Sequence, residues 1–283
     1  MSIMIKAEGI SKSFGEKRVL ESIGLEIGSG EIFGLLGPSG AGKTTLIKIL
    51  TGQLLQDGGS AEINGNDSRR LTGDERRRIG ITMDDFGIYE RLSCADNLKI
   101  FARIYGMTQK DVLDALEKVG LSEAQKTTAG KLSKGMKGRL KLARAFMTAP
   151  DILFLDEPAS GLDPVSANEI HRLILSEKAR GKTVFLTTHT MAEAEKLCDN
   201  IALLCDGRIV EYGSPAEICR RYDHQRMLKI NLRDGRDIVI PHNKEAAVKV
   251  ASLIEEGKTE TIHTTEPDLE TVFTEITGKE LSA

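Results

Sequence analysis

The pattern of hydrophobic and polar residues changes character several times along the chain. Up to residue 67, the runs MIKAEGISKSFG, RVLESIGLEIGSGEIFGLLG and SAEINGND are rich in β-forming residues and punctuated by glycine, which predicts short strands and turns. From residue 93 to 147 the apolar spacing becomes helical. In TQKDVLDALEKVG the residues Val112, Leu113, Leu116 and Val119 fall on one face, and Thr108 with Asp111 predicts a helix start.

Two solidly apolar runs follow, in DILFLDEP and TVFLTTH, and they predict buried parallel strands on either side of the helical PVSANEIHRLILSEKARG. The segment IALLCDGRIVEYG predicts two strands joined at Asp206-Gly207, a dipeptide suited to a tight hairpin turn. Ser214, Pro215 and Glu217 then supply an N-cap, a first-turn proline and a capping-box acid for the next helix.

After residue 221 the pattern predicts a separate small α/β domain. MLKINLRDGRDIVIPH is a hairpin candidate that turns at Asp234-Gly235. An amphipathic helix in NKEAAVKVASLIEEG, a strand in TETIHT and a last helix in PDLETVFTEITG complete it. We therefore predict a first domain over 1–221 and a second over 222–283.

Composition narrows the class of protein. The chain has 283 residues, of which 40% are hydrophobic and 29% charged, as in ordinary soluble globular proteins. Its net charge of -3 gives no global positive field, so we expect no nucleic-acid partner. The four cysteines lack metal-ligand spacing, which favours a reducing cytoplasm. Apolar runs stay well short of the roughly 20 residues that span a bilayer, and no secretory signal is evident.

The segment GPSGAGKTT, residues 37–45, fits the phosphate-binding pattern G-x-x-x-x-G-K-[ST]. It follows the apolar EIFGLL and precedes the helical TLIKILTG, which disfavours a chance glycine-rich turn. Glycines let successive N–H groups converge on phosphate oxygens at a helix N-terminus, while Lys43 reaches the β- and γ-phosphates and the Thr44 hydroxyl binds Mg²⁺. The predicted nucleotide ligands here are Gly37, Pro38, Ser39, Gly40, Ala41, Gly42, Lys43, Thr44 and Thr45.

ILFLDEP supplies two carboxylates at the end of a predicted buried strand. Asp156 can hold Mg²⁺ beside the phosphate loop, and Glu157 can orient or polarise the water that attacks the γ-phosphate. Two acids at a strand end can also mark only the point where a strand meets solvent. With the phosphate motif upstream, the catalytic interpretation is favoured, and Lys43 and Glu157 are predicted catalytic residues.

KLSKGMKGRLKLARAFMTAP, residues 131–150, narrows the choice among NTPases. The order phosphate loop, L-S-x-G, D-E-P, SGLD and then a lone histidine after a strand closely resembles the nucleotide-binding subunit of ABC transporters. The resemblance implies a P-loop NTPase core with an N-terminal antiparallel β subdomain, a helical subdomain inserted at about 86–148, and the small C-terminal α/β domain. The tail PDLETVFTEITGKEL is similar to the closing helix of drug-resistance and antimicrobial-peptide exporter ATPases.

The resemblance also implies roles for residues outside the phosphate loop. Ser133 and Gly135 stand in the signature that contacts ATP held by the other subunit of a head-to-tail pair, and Asp163 lies across the same interface. His189 occupies the switch position that contacts the γ-phosphate, at the C-terminal edge of a strand where ligands bind in such sheets. The resemblance therefore adds His189 to the predicted catalytic residues. Ser133 can also cap the following helix.

Other residues of these segments are given ordinary structural roles. Thr190 and Glu193 predict a capping box for the helix after the switch histidine. The basic residues Lys137, Lys141 and Arg144 are interpreted as lying on the solvent-exposed face of a capped helix, and no functional role is assigned to them.

Two predicted ligands carry explicit alternatives. Phe14, in SKSFGEKRVL, matches the aromatic residue that stacks on adenine in the family, whereas core packing is the competing explanation. Asp84, in RRRIGITMDDFGIYERLSCADNL, falls on the family glutamine that contacts Mg²⁺ and the attacking water, in a loop that links to the membrane partner. An aspartate can ligate Mg²⁺, but Asp84 and Asp85 can also be solvated loop acids.

The resemblance implies an ATPase that dimerises on Mg·ATP, as a homodimer, and powers transport through separately encoded membrane subunits. Its place is then peripheral, at the cytoplasmic face of the membrane, and its substrate a drug, peptide or lipid-like molecule moved outwards. A soluble ABC ATPase acting on ribosomes or DNA is one rival, although such chains usually carry two ATPase halves or long coiled-coil insertions. A non-hydrolysing, nucleotide-sensing subunit is the other, and only the stretch around Asp84 supports it.

Overall fold

The computed structural model of the protein describes residues 2–83, 87–223, 227–265 and 267–278. The chain divides into two compact units, the first ending at Tyr212 and the second beginning at Gly213. The helix that starts at Pro215 belongs to the second unit, so this division lies one helix earlier than the predicted boundary between residues 221 and 222.

The first unit contains both strands and helices. Its strands are β1 Ile3–Phe14, β2 Lys17–Gly28, β3 Ile32–Leu36, β4 Gly58–Ile63, β5 Asn66–Asp67, β6 Ile79–Thr82, β7 Ile152–Asp156, β8 Thr183–Thr188, β9 Asn200–Cys205 and β10 Arg208–Gly213. Its helices are α1 Lys43–Leu50, α2 Gly73–Arg77, α3 Cys94–Ile104, α4 Gln109–Lys118, α5 Lys134–Phe146, α6 Pro164–Ala179 and α7 Met191–Leu197, with short 3₁₀ turns at Ser68–Arg70 and Ala129–Lys131.

The first sheet is antiparallel and has the strand order β2-β1-β4-β5. Along β2 the side chains of Ile23, Leu25 and Ile27 are buried and alternate with exposed residues, as expected when one face of a sheet packs on a core. The predicted N-terminal antiparallel β subdomain is therefore confirmed.

The second sheet has the strand order β10-β9-β3-β8-β7-β6. Strand β3 is parallel to both β8 and β9, and β7 is parallel to both β6 and β8. Every residue of β3, β7 and β8 is buried, which confirms the strands predicted from solid apolar runs. At its centre the ring of Phe185 lies 5.6 Å from that of Phe33 and 5.4 Å from that of Phe154, between ring centroids.

Helices α3, α4 and α5 lie between β6 and β7 in the sequence, where a helical subdomain is implied. The predicted capping box of Thr108 with Asp111 begins α4. Val112 and Leu116 are buried as predicted, but Leu113 is 39% exposed and does not belong to the packed face. Successive side chains of a helix point about 100° apart around its axis, so Leu113 lies on a different face from its neighbour Val112.

The second unit is a small α/β fold in which a sheet of order β12-β11-β13 is antiparallel. Its elements are α8 Pro215–Arg221, β11 Met227–Leu232, β12 Asp237–Pro241, α9 Lys244–Glu255, β13 Thr259–Thr265 and α10 Leu269–Thr277. The predicted capping box of Ser214 with Glu217 begins α8. Helix α10 buries Leu269, Val272 and Phe273. In the part of the chain described, no helix combines the length and the apolar character needed to cross a bilayer.

Gly80 in β6 gives a test of how closely α5 packs on the central sheet. A Cβ atom at this position would lie 2.3 Å from the carbonyl oxygen of Ala145 and 2.7 Å from a methyl carbon of Leu153. We expect Gly80→Ala to lower the free energy of unfolding by about 1–3 kcal/mol, because the backbone of α5 must move. Gly73→Ala, at an open position in α2, is the control and should be neutral or slightly stabilising. Thermal unfolding of both variants measures the difference, and equal midpoints would contradict this packing.

Candidate nucleotide site

A cavity of about 630 Å³ opens where β3 passes through the phosphate loop into α1. Residues of the loop and of the first turn of α1 form one wall, and Asp156 and Glu157 at the end of β7 form another. Phe14 and Val19, from the antiparallel sheet, line the far side. The cavity therefore joins the predicted phosphate, metal and adenine ligands of the first unit.

The phosphate loop depends on glycine for its backbone path. Gly40 has φ of 81° and Gly42 has φ of 109°, both in the left-handed region that side chains other than glycine rarely adopt. A Cβ atom at Gly42 would also lie 2.8 Å from a methyl carbon of Leu20 and 3.0 Å from the carbonyl oxygen of Val19. Gly42 is the N-cap of α1, so the free N–H groups of the helix start stand at the cavity wall. This arrangement suits a phosphate group.

Lys43 lines the cavity as a buried cation, and only 5% of it is exposed. Its Nζ atom donates to the carbonyl oxygens of Gly37 and Pro38, at 2.7 and 3.3 Å. The same Nζ lies 3.2 Å from Oε1 of Glu157. A buried charge requires partners of this kind, and the ammonium group is therefore held at the floor of the phosphate loop.

Thr44 and Asp156 meet across the cavity as predicted for metal ligands. The Thr44 hydroxyl donates to Oδ2 of Asp156 at 2.7 Å, and the hydroxyl of Thr187 in β8 donates to the other carboxylate oxygen. Hydroxyl and carboxylate oxygens are the ligands that Mg²⁺ prefers, so this pair fits such an ion. Thr187 is not among the residues predicted from the sequence; the signal for it is a hydroxyl residue near the end of a predicted buried strand.

Glu157 lies between Lys43 and His189. Its Oε1 atom faces the Lys43 ammonium, while Oε2 lies 2.9 Å from Nδ1 of His189. The backbone of Glu157 has φ of 46°, an unusual value for a residue other than glycine, and its N–H donates to both the carbonyl and the hydroxyl oxygen of Thr187. Strained backbone of this kind gathers at functional sites, and here it fixes the carboxylate at the cavity wall.

Phe14 is 51% exposed, so the alternative that it packs in the core is wrong. Its ring lines the nucleotide cavity, with the Lys12 ammonium 5.5 Å from the ring centroid. An exposed aromatic face at the rim of a phosphate site can stack on a planar base.

The signature residues lie apart from this cavity within the chain. Ser133 caps α5 as predicted by accepting a hydrogen bond from the N–H of Met136 at 3.2 Å. A Cβ atom at Gly135 would lie 2.5 Å from the hydroxyl oxygen of Ser166, so α5 and α6 meet closely there. Asp163 caps α6, and hydrogen bonds from the Ser166 side chain and backbone hold its carboxyl pKa below the usual value. None of Ser133, Gly135 and Asp163 lines the cavity that holds Lys43.

Two local predictions are wrong. Thr190 is the N-cap of α7 but its side chain makes no capping hydrogen bond, and the Glu193 side chain turns to His171, with Oε1 3.0 Å from Nε2 of that ring. Arg144 is not on a wet face, since its Nη2 donates to the carbonyl oxygen of Ile81 at 3.1 Å and burial lowers the pKa of its guanidinium. The predicted metal ligand Asp84 lies outside the described residues, and its role stays a prediction.

Comparison with known proteins agrees with this geometry. The ABC transporter family profile matches residues 20–160. The fluoroquinolones export ATP-binding protein of Mycobacterium tuberculosis is 41% identical over 261 residues, which cover 90% of this chain and 86% of that protein. The linearmycin resistance ATP-binding protein LnrL of Bacillus subtilis is 31% identical over 310 residues, which cover 98% of this chain and 99% of that protein.

A solved dimeric structure of an ATP-binding cassette, in a post-hydrolysis state bound to ADP and Pi, shares the fold of the first unit. The two chains are 28% identical with a TM-score of 0.67, and the likeness covers 75% of this chain and 98% of the other. The match to these relatives covers 90% and 98% of this chain, far more than the phosphate loop alone. The chain therefore belongs to the ABC transporter family, in which it is an ATP-binding subunit with the activity of an ATPase.

Proposed function

We propose that this chain hydrolyses Mg·ATP to power the export of a drug, peptide or lipid-like molecule through separately encoded membrane subunits. The observation that carries the proposal is the Glu157 carboxylate, held between the Lys43 ammonium and the His189 ring. The names of the relatives support the direction of transport, since one is a fluoroquinolones export protein and another a linearmycin resistance protein. Such a protein works at the cytoplasmic face of the membrane, where ATP is present.

The residues of the cavity bind different parts of the nucleotide. Backbone N–H groups at the start of α1 and the Lys43 ammonium bind phosphate oxygens. Thr44 and Asp156 would hold Mg²⁺, which neutralises negative charge on the phosphates when bound. The exposed ring of Phe14 stacks on adenine.

Glu157 is then the group that orients water. Once phosphate oxygens compete for the Lys43 ammonium, the Oε1 atom of Glu157 becomes free to accept a hydrogen bond from the attacking water. His189 holds the other oxygen of the carboxylate and so sets the direction of the first. The positive charge on Lys43 remains next to the γ-phosphate, where it stabilises developing negative charge.

Glu157→Gln tests the catalytic role. The amide has the shape of the carboxylate without its charge, so we expect hydrolysis to fall at least about 100-fold while ATP binding persists. ATP turnover and ATP-dependent dimerisation, followed by light scattering, are the measurements. Glu117→Gln, on the exposed face of α4, is the matched control and should behave as wild type. A Glu157→Gln protein that stays monomeric and keeps full activity would contradict the proposal. A wild-type protein without ATP turnover would favour the nucleotide-sensing alternative.

Thr187→Val tests whether the Thr187 hydroxyl positions the carboxylates of Asp156 and Glu157. Valine keeps the shape but removes the hydroxyl that donates to Asp156 and accepts from the N–H of Glu157. Loss of such supporting contacts costs about 10–100-fold in activity or metal affinity, so we expect slower turnover and a higher Mg²⁺ requirement. Thr183→Val is the control, because its hydroxyl binds the N–H of Gly30 at the other end of β8. Unchanged Mg²⁺ dependence in Thr187→Val would contradict this role.

Dimerisation follows from the separation of two sets of ligands. Within one chain Lys43 lies in the cavity, whereas Ser133, Gly135 and Asp163 stand at the starts of α5 and α6 outside it. A second copy, placed head to tail, supplies them to the same γ-phosphate. The serine hydroxyl at the N-terminus of α5 and the missing side chain at Gly135 suit an approaching phosphate. The solved cassette with this fold is dimeric, which supports the proposal.

A groove of about 700 Å³ is the proposed seat of the membrane subunit. Strand β6 and the helices α3 and α5 line it, with aromatic side chains from Tyr89, Phe101 and Tyr105. Arg76 and Arg144 also line it, and the described lining residues include no aspartate or glutamate. The groove adjoins residues 83 and 87, on either side of the loop whose family counterpart links to the membrane partner. A docking segment with an apolar face and a carboxylate complements this surface.

Arg76→Gln tests the docking surface. The Arg76 side chain is exposed and its loss should leave the fold intact, whereas affinity for the membrane subunit should fall about 5–10-fold and become less salt-dependent. Arg77→Gln, the neighbouring residue outside the groove lining, is the matched control. Binding to the cognate membrane subunit in nanodiscs, at low and high salt, is the measurement. Equal affinities for the two variants would place the docking segment elsewhere.

A further inference from the structure

A buried imidazole and a buried carboxylate join two helices away from the nucleotide cavity. Nε2 of His171 lies 3.0 Å from Oε1 of Glu193, and the two residues are only 8% and 7% exposed. A carboxylate accepts this hydrogen bond from an Nε2–H group, so the ring proton stands on Nε2. Neither residue lines the cavity that holds Lys43.

A residue of the proposed site stands at or next to the N-cap of each of the two helices. Asp163 is the N-cap of α6, and His171 lies eight residues further along the helix, a distance of about 12 Å. His189 precedes the N-cap of α7, and Glu193 stands in the first turn of that helix. The contact therefore joins α6, which follows the proposed inter-subunit residue Asp163, to α7, which follows His189.

A second contact fixes the register of the same helices. The Lys196 ammonium donates to the side-chain oxygen of Asn168 at 2.5 Å, on the exposed side of α6 and α7. Asn168 precedes His171 by three residues and Lys196 follows Glu193 by three, so the contacts stack one helical turn apart. Sliding of one helix along the other breaks both.

Stability does not explain the buried pair. Nδ1 of His171 is buried without a hydrogen-bond partner among the described residues, which costs free energy. Buried polar pairs are often replaced by apolar side chains of similar volume at little or no cost. The contact is directional where an apolar contact is not, and this points to a role in relative placement.

We propose that His171 and Glu193 are positioning residues that couple the switch histidine to the inter-subunit residue Asp163. When His189 and the start of α7 shift with the γ-phosphate, the His171–Glu193 hydrogen bond transmits the shift to α6. The inference rests on the roles of His189 and Asp163 in the proposed function.

The double variant His171→Phe with Glu193→Met tests the coupling. Both replacements keep the volume of the buried side chains while removing the directional contact. We expect the full-length protein to melt within a few degrees of wild type and to keep KM for Mg·ATP within about twofold, while kcat falls about tenfold. A stable protein with unchanged KM and lowered kcat would support the coupling, because loosened packing would also lower the melting temperature and raise KM.

Three single variants sharpen the test. His171→Gln keeps an N–H donor for the carboxylate and should retain kcat within about twofold, whereas a tenfold loss would overturn the proposal. Lys196→Ala removes only the exposed contact, which contributes less than a buried one, so kcat should fall much less than in the double variant. If the double variant does not fold, Glu193→Ala, which leaves the His171 ring in place, is measured in the same way.

The outcomes separate this inference from the proposed function. If Glu157→Gln is inactive and the double variant keeps the wild-type kcat, the coupling is wrong and the proposed function stands. A fall in kcat that comes with a raised KM and a lowered melting temperature also overturns it, since loosened packing then explains the loss. If Glu157→Gln retains full activity, the proposed function fails whatever residues 171 and 193 do.

Discussion

Three adjacent parallel strands end level at one edge of the central sheet, and the whole site depends on that register. In the order β3-β8-β7, Leu36 pairs with Thr188 and Asp156 pairs with Thr187. The phosphate loop, the two acids and the switch histidine therefore leave the sheet side by side. A slip of one residue would turn each side chain to the opposite face of the sheet and separate them. All three strands are buried on both faces, so a slip would also exchange side chains that are packed closely against different neighbours.

The charges gathered at this edge are balanced against one another. Lys43 faces two carbonyl oxygens and Glu157, while Asp156 accepts hydrogen bonds from Thr44 and Thr187. Buried charges are tolerated only when paired in this way. In the proposed mechanism a bound triphosphate offers Lys43 a stronger set of oxygens, and its arrival redistributes the contacts of Glu157. Nucleotide binding and alignment of the proposed water-orienting carboxylate would then be one event.

Two further proposed ligands of the nucleotide stand at helix starts. Ser133 and Asp163 are each N-caps, at α5 and α6, and each helix continues into the packed body of the first unit. Placing a ligand contact at a helix start links it to a rigid rod, so a small shift at the contact moves the whole element. The buried contact of His171 with Glu193 extends the same principle from α6 to α7.

Much of the fold was predictable because its signals are local. Solid apolar runs gave β3, β7 and β8, glycine spacing gave the phosphate loop, and cap residues gave the starts of α4 and α8. Failures came where a distant partner outweighed local chemistry. Glu193 has the spacing of a capping-box acid, but a buried imidazole 22 residues away in sequence is the stronger partner. Arg144 carries a charge that suggests solvent, yet the Ile81 carbonyl and the Phe101 ring hold it in the groove wall.

The sequence by itself determined the chemical inventory: a phosphate loop, two acids after a buried strand, a signature serine and a switch histidine, each recognisable within a few residues. Only the tertiary structure decided which of them meet. It brought Glu157 between Lys43 and His189, added Thr187 as a support, and kept Ser133 outside the cavity. The physical reason is that motif residues are set by backbone needs close in sequence, whereas contacts between them depend on strand register, which is fixed by burial across the whole sheet.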